Sequence, residues 1–97
     1  MGRILEHEPE NFNLLKNLSI IMLETRQFSQ AEDLMRRALK IRPQSPAVLT
    51  YLGIALYEQG EFGESREYLI QAISQNPNNP LAKQYIYKAR QGERSAK

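Results

Sequence analysis

A shift of 34 positions lays this chain on itself. It superposes Pro9, Pro43 and Pro77, and likewise Leu18, Leu52 and Ile86. Phe28 meets Phe62, Ala38 meets Ala72, and Leu5, Leu39 and Ile73 line up. A fixed period of this size marks an array of stacked supersecondary units, each too small to bury its own apolar face. No other property of the sequence restricts the possible folds as severely.

The unit is clearest between Pro46 and Asn79. Leu49, Leu52, Gly53 and Leu56 fall at i, i+3, i+4 and i+7, one face of an α-helix. Ser65, Leu69, Ala72 and Ile73 mark one face of a second helix. Gly60 closes the first, because glycine enters the left-handed region without a Cβ penalty. Pro77 stops the second, since proline lacks the amide hydrogen that a helix needs. Asn11, Ser45 and Asn79 precede the first helix of each unit and are good N-cap residues. These signals predict helices over about 12–25, 30–41, 46–59, 64–75 and 80–91, with Ser29 and Glu32 as a capping box and a frayed tail from Gly92 to Lys97. Arg26 stands where Gly60 stands one unit later. It is predicted to adopt the left-handed backbone, at a cost of about 1 kcal/mol that Arg26→Gly would relieve.

With these residues in place, the chain resembles the tetratricopeptide repeat family. Counted from Pro46, Leu49, Leu52 and Gly53 occupy that family's large-L-G positions, followed by Phe62, Ala72 and Pro77. The unit 12–45 supplies Leu15, Leu18, Ser19, Met22, Phe28, Ala31, Ala38 and Pro43. Ser19 replaces the usual glycine and Ser65 the usual alanine, both small enough for a close helix contact. The resemblance implies a single all-α domain over residues 1–97, a right-handed superhelical stack of antiparallel helix pairs. It divides into a remnant at 1–11, repeats at 12–45 and 46–79, and a half repeat with its tail at 80–97, about two and a half repeats in all.

Composition removes several classes of function. The formal charge of +2 is too small to require a polyanionic partner, and the absence of cysteine rules out disulfides and thiolate metal sites. No apolar run reaches membrane-spanning length, and a cytoplasmic location is expected. His7, the one histidine, has no second histidine with which to hold a metal, and no nucleophile is set beside it. No phosphate-binding glycine loop is present. The chain is therefore read as a non-enzyme without cofactor, metal or small-molecule substrate. Arg36, Arg37, Lys40 and Arg42 on the second helix are answered by Glu32 and Asp33 and read as a solvated face rather than a nucleic-acid surface. Cations also collect at Lys83, Lys88, Arg90, Arg94 and Lys97, and acids at Glu6, Glu8 and Glu10, a charge distribution that would let the two ends attract head to tail.

Two surfaces are left for function. The family resemblance implies a concave groove lined by Asn13, Lys16, Ile20 and Leu23, then Ala47, Thr50, Ile54 and Tyr57, with Leu81, Gln84 and Lys88 from the half repeat. Ile20 and Ile54 are expected to be exposed there, with Lys16 and Lys88 forming a positive rim for a peptide or helix partner. The family's two-carboxylate clamp is not reproduced: Lys16 matches, but Ile20 and Tyr51 replace asparagines, Gln84 replaces a lysine, and Lys88 an arginine. The second surface is helix 12–25, apolar nearly all round through Leu14, Leu15, Leu18, Ile21 and Met22. Such a helix needs cover, so the chain is expected either to be part of a longer array or to pair with a second copy. A structural assembly role is thus the alternative to groove binding.

Overall fold

The computed structural model describes residues 11–95. Every regular element among them is an α-helix: α1 (Phe12–Glu24), α2 (Phe28–Ile41), α3 (Pro46–Glu58), α4 (Phe62–Gln75) and α5 (Pro80–Ser95). They form the all-α solenoid of about two and a half repeats that the period implies. The expected remnant at 1–11 lies, apart from Asn11, outside the described residues, as do Ala96 and Lys97 of the tail.

The N-caps are as expected. Asn11 Oδ1 accepts from the Leu14 amide at 2.9 Å, Ser45 Oγ from Val48 at 3.4 Å, and Asn79 Oδ1 from Ala82 at 3.0 Å. The capping box is not formed. α2 begins two residues earlier, at Phe28, where the Gln27 carbonyl accepts from Ala31 at 3.0 Å, and no side chain caps its N-terminus. Ser29 lies inside the helix and is exposed, while Glu32 bonds Arg36 and Gln59 instead. α4 likewise begins at Phe62, from the Glu61 carbonyl. In both pairs the turn is short because it is closed by the same two backbone bonds. Gln27 donates to the Met22 carbonyl and Arg26 to Leu23, as Glu61 donates to Leu56 and Gly60 to Tyr57. This double closure needs a left-handed residue just past the helix. Arg26 supplies it at φ 63°, as predicted, and Gly60 at φ 85°.

The Arg26 guanidinium lies 5.3 Å from the centre of the Phe28 ring, a contact that offsets part of the backbone strain. Glycine would remove the strain but also this contact, and it would loosen the unfolded chain. Arg26→Gly is therefore expected to change the unfolding free energy by less than about 0.5 kcal/mol, a smaller gain than strain alone implies. Gly60→Ala, with open space around its Cβ, should lower stability by about 1 kcal/mol from backbone strain alone. Paired denaturant titrations check both.

Packing is organised on α3. Val48, Leu52 and Leu56 join Phe12, Leu15, Met35 and Ala38 in one buried cluster, while Leu49 joins Leu69, Ala72 and Ala82 in another. Leu39 and Tyr68 pack against both. Within each pair the helices cross at one close point. A Cβ on Gly53 would lie 2.5 Å from Leu69 Cγ, and Ser65 Oγ donates to the Gly53 carbonyl at 2.6 Å. The first pair places Ser19, Ala31 and Met35 at the matching positions, all buried, with Ser19 Oγ donating to the Leu15 carbonyl at 2.7 Å. Each crossing thus holds one hydroxyl, moved from the second helix of the pair to the first.

On the outer side Arg36 ties α2 to α4, donating to Glu32 and Glu64 at 2.8 Å and to Tyr68 Oη at 3.1 Å. Burial lowers its pKa, but the contacts with Glu64, Glu32 and Tyr68 together outweigh that and leave it raised. Arg42 lies over the Phe12 ring at 4.4 Å. Arg36 and Arg42, from the basic group along α2 and its C-cap, are therefore engaged within the fold. The C-terminal helix also differs from expectation. It does not end at residue 91 but runs to Ser95, because Gly92 abuts the Phe62 ring and Glu93 pairs with Arg66.

Candidate functional site

α1, α3 and α5 are the first helices of successive repeats. α3 touches both of the others, so their inner faces form one surface. An open depression of about 330 Å³ crosses it. Ile20 and Leu23 of α1 and Ile54 of α3 line it, together with Tyr51, Tyr85 and Phe28. Three of the residues expected in the groove therefore meet at one place.

The others are distributed differently. Thr50 is buried: its hydroxyl donates to the Pro46 carbonyl at 2.7 Å and accepts from Asn79 Nδ2 at 2.9 Å, which fixes the cap of α5. Tyr57 packs edge-on to Tyr85 and tilted to Phe62, both at 5.5 Å between ring centres, so its ring belongs to the α3–α4–α5 joint. Ile54 is only 9% exposed, which corrects the expectation of a freely exposed side chain. The fully buried residues beside it on α3, including Leu52, Ala55 and Leu56, draw this helix into the interior on both flanks. Ile20 is half-buried, Ala47 half-buried, and Asn13, Leu81 and Gln84 are exposed away from the depression. Lys16 lies 6.0 Å from the Phe12 ring centre and Lys88 4.6 Å from that of Tyr85.

Neither lysine lines the depression, so the expected positive rim is not formed there. Its charged residues are Glu24, Glu58 and Arg26, and Arg26 faces Phe28. The residues missed by position-matching were nevertheless periodic. Glu24 and Glu58 are one repeat apart, as are Tyr51 and Tyr85. Attention to every recurring residue, rather than to four family positions, would have found them. The arrangement offers apolar and phenolic surface edged by carboxylates. It suits a side chain that is apolar along its length and positively charged at its end.

Among the described residues no group of acidic, histidine or cysteine side chains is placed to hold a metal ion. No described helix is long and apolar enough to cross a membrane. No curated protein matches the chain. A family model described as tetratricopeptide repeat matches residues 23–85, from the end of α1 into α5. That match covers well over half of the sequence and spans the joints between successive helix pairs. Together with the 34-residue period and the paired helices, it establishes that the chain belongs to the tetratricopeptide repeat family, whose members generally mediate contacts between proteins.

Proposed function

We propose that this chain is a non-catalytic interaction module that holds a peptide or helix across the depression on its inner face. The observation that carries the reading is the convergence of half-buried Ile20, Leu23, Tyr51 and Tyr85, from three helices, in one open depression floored by the nearly enclosed Ile54. Glu24 and Glu58 at its edge favour a partner that pairs an apolar anchor with a lysine or arginine. Selection from a random peptide library tests this directly. Enriched peptides should combine those two features and lose at least about tenfold in affinity on Ile20→Asp, with little change in melting because Ile20 is only half-buried. Enriched peptides that bind the Ile20→Asp variant equally well would move the site elsewhere.

A second reading, assembly through α1, is favoured by one comparison inside the chain. Leu14 is 53% exposed and Ile21 50%. One and two repeats later the same positions hold Val48 and Ala55, then Ala82 and Ala89, all fully buried. The repeat thus places large apolar groups on a face that elsewhere in the chain is covered by the preceding helix. Full burial of such a side chain contributes about 1.5–3 kcal/mol, so a second copy is expected to cover Leu14, Ile21 and the adjoining Met22. Sedimentation should show mass rising with concentration, and Leu14→Ser with Ile21→Ser should leave a monomer. A monomeric wild-type chain at every concentration rules this reading out.

A further inference from the structure

A wide cleft lies away from the inner depression, between the first turn of α4 and the last two turns of α5. It is open and measures about 930 Å³. Its walls are held close by two glycines. A Cβ on Gly92 would come within 2.7 Å of the Phe62 ring, and one on Gly63 within 3.3 Å of a Glu93 carboxylate oxygen. Between them Arg66 grips Glu93 through two bonds, Nε to Oε1 at 2.9 Å and Nη2 to Oε2 at 3.1 Å. This ion pair raises the Arg66 pKa and neutralises Glu93 at the side of the cleft.

The α5 wall is where the sequence leaves its own repeat. Tyr87 stands in the place of Ser19 and Gly53 and Arg90 in that of Met22 and Leu56, while Arg94 keeps the arginine of Arg26 where the middle repeat has Gly60. Positions that are buried or half-buried in the earlier repeats here carry exposed Tyr87, Arg90 and Gln91, and Arg94 extends them into a strip at i, i+3, i+4 and i+7 where the earlier helices have already turned. Tyr87 is 66% exposed. Among the described residues no ion pair engages Arg90 or Arg94, and with Glu93 neutralised only Glu61 opposes them in the cleft. A face built only to be wetted needs neither an exposed phenol ring nor a cleft beside it.

We propose that this cleft binds an acidic peptide segment carrying an aromatic side chain. The carboxylates pair with Arg90 and Arg94, whose planar forks suit them, and the ring packs on Tyr87 beside Phe62. Two guanidinium groups within one turn match a short acidic segment. Glu61 on the facing wall disfavours the continuous charge of a nucleic-acid backbone, whose affinity grows with the number of phosphates neutralised. The site is independent of the inner depression, so either reading can fail alone.

The probe is a fluorescein-labelled, capped pentapeptide of four glutamates around one phenylalanine, titrated by anisotropy against the full chain. It should bind with an affinity that falls as salt rises, whereas the same peptide with lysines should not bind. Arg90→Gln with Arg94→Gln should weaken binding about tenfold or more, and Tyr87→Ala should reduce the preference for the phenylalanine peptide over an all-glutamate one. All three residues are exposed, and circular dichroism checks that the variants stay folded. Ile20→Asp should leave this binding unchanged. The proposal is overturned if the wild-type chain does not bind the acidic peptide, if the double glutamine variant binds it equally well, or if Ile20→Asp abolishes it. It is also overturned if a ten-nucleotide single-stranded DNA binds the same arginines more tightly than the peptide does.

Discussion

Gly53→Ser is expected to destabilise the chain by about 1–3 kcal/mol, although serine is the better helix former. The new Cβ would fall 2.5 Å from Leu69 Cγ and 3.3 Å from the Ser65 carbonyl oxygen. Leu69 is fully buried and branched at the atom that is struck, so the strain passes to the backbones of α3 and α4. The first repeat shows how the same crossing accommodates a serine. Ala31 and Met35 occupy the matching positions on the second helix, and the Ser19 hydroxyl turns back to the carbonyl one helical turn earlier. Importing that solution as Gly53→Ser, Ser65→Ala and Leu69→Met should recover most of the loss, because methionine bends where leucine cannot. The number of hydroxyl bonds is conserved, since the introduced serine bonds the Leu49 carbonyl in place of the lost Ser65 bond to Gly53. Urea titrations of the single and triple variants decide the matter. Equal stability of the two would show that the close approach does not limit this packing.

Ile54→Asp is expected to have a still larger effect. Ile54 borders the inner depression, yet it is almost wholly enclosed. An unpaired carboxylate at such a position costs several kcal/mol, a large share of the roughly 5–15 kcal/mol that holds a domain of this size together. The variant should lose most of its helix signal or melt many degrees lower, so it cannot separate binding from folding. Ile54→Val, which removes one methyl group and adds no charge, should cost only about 0.5–1.5 kcal/mol. A well-folded aspartate variant with wild-type melting would mean that the side chain reaches solvent freely.

The fold was legible because the chain repeats, and each repeat reads the others. The αL turn at Arg26 followed from its alignment with Gly60, and the caps at Asn11, Ser45 and Asn79 from theirs. Helix starts were less legible. A serine with a glutamate three residues later invites a capping box, but the two-bond turn closure fixes the chain first and starts α2 at Phe28. The end of α5 was hidden for a similar reason. Gly92 reads as a helix stop until the Phe62 ring is known to occupy the space a Cβ would need. Position brought Ile20, Leu23 and Ile54 to one depression but did not give their exposure. Position within a repeat says which way a side chain points, not how much its neighbours cover it, and those neighbours come from other repeats. Thr50 and Tyr57, assigned to the groove by position, are taken up by Asn79, Phe62 and Tyr85.

The place of α3 in the stack has a consequence for how the molecule opens. Repeat arrays ordinarily fray from their ends, one unit releasing at a time. Here α3 contributes side chains to both buried clusters, and Leu39 and Tyr68 bridge them. Release of α1 strips cover from the first cluster, and release of α5 strips it from the second, but α3 stays clasped by the opposite half in either case. Its amide hydrogens therefore exchange with solvent only through the rarest opening, in which both halves let go together. The ends of the solenoid can breathe while its middle helix keeps time for the whole chain.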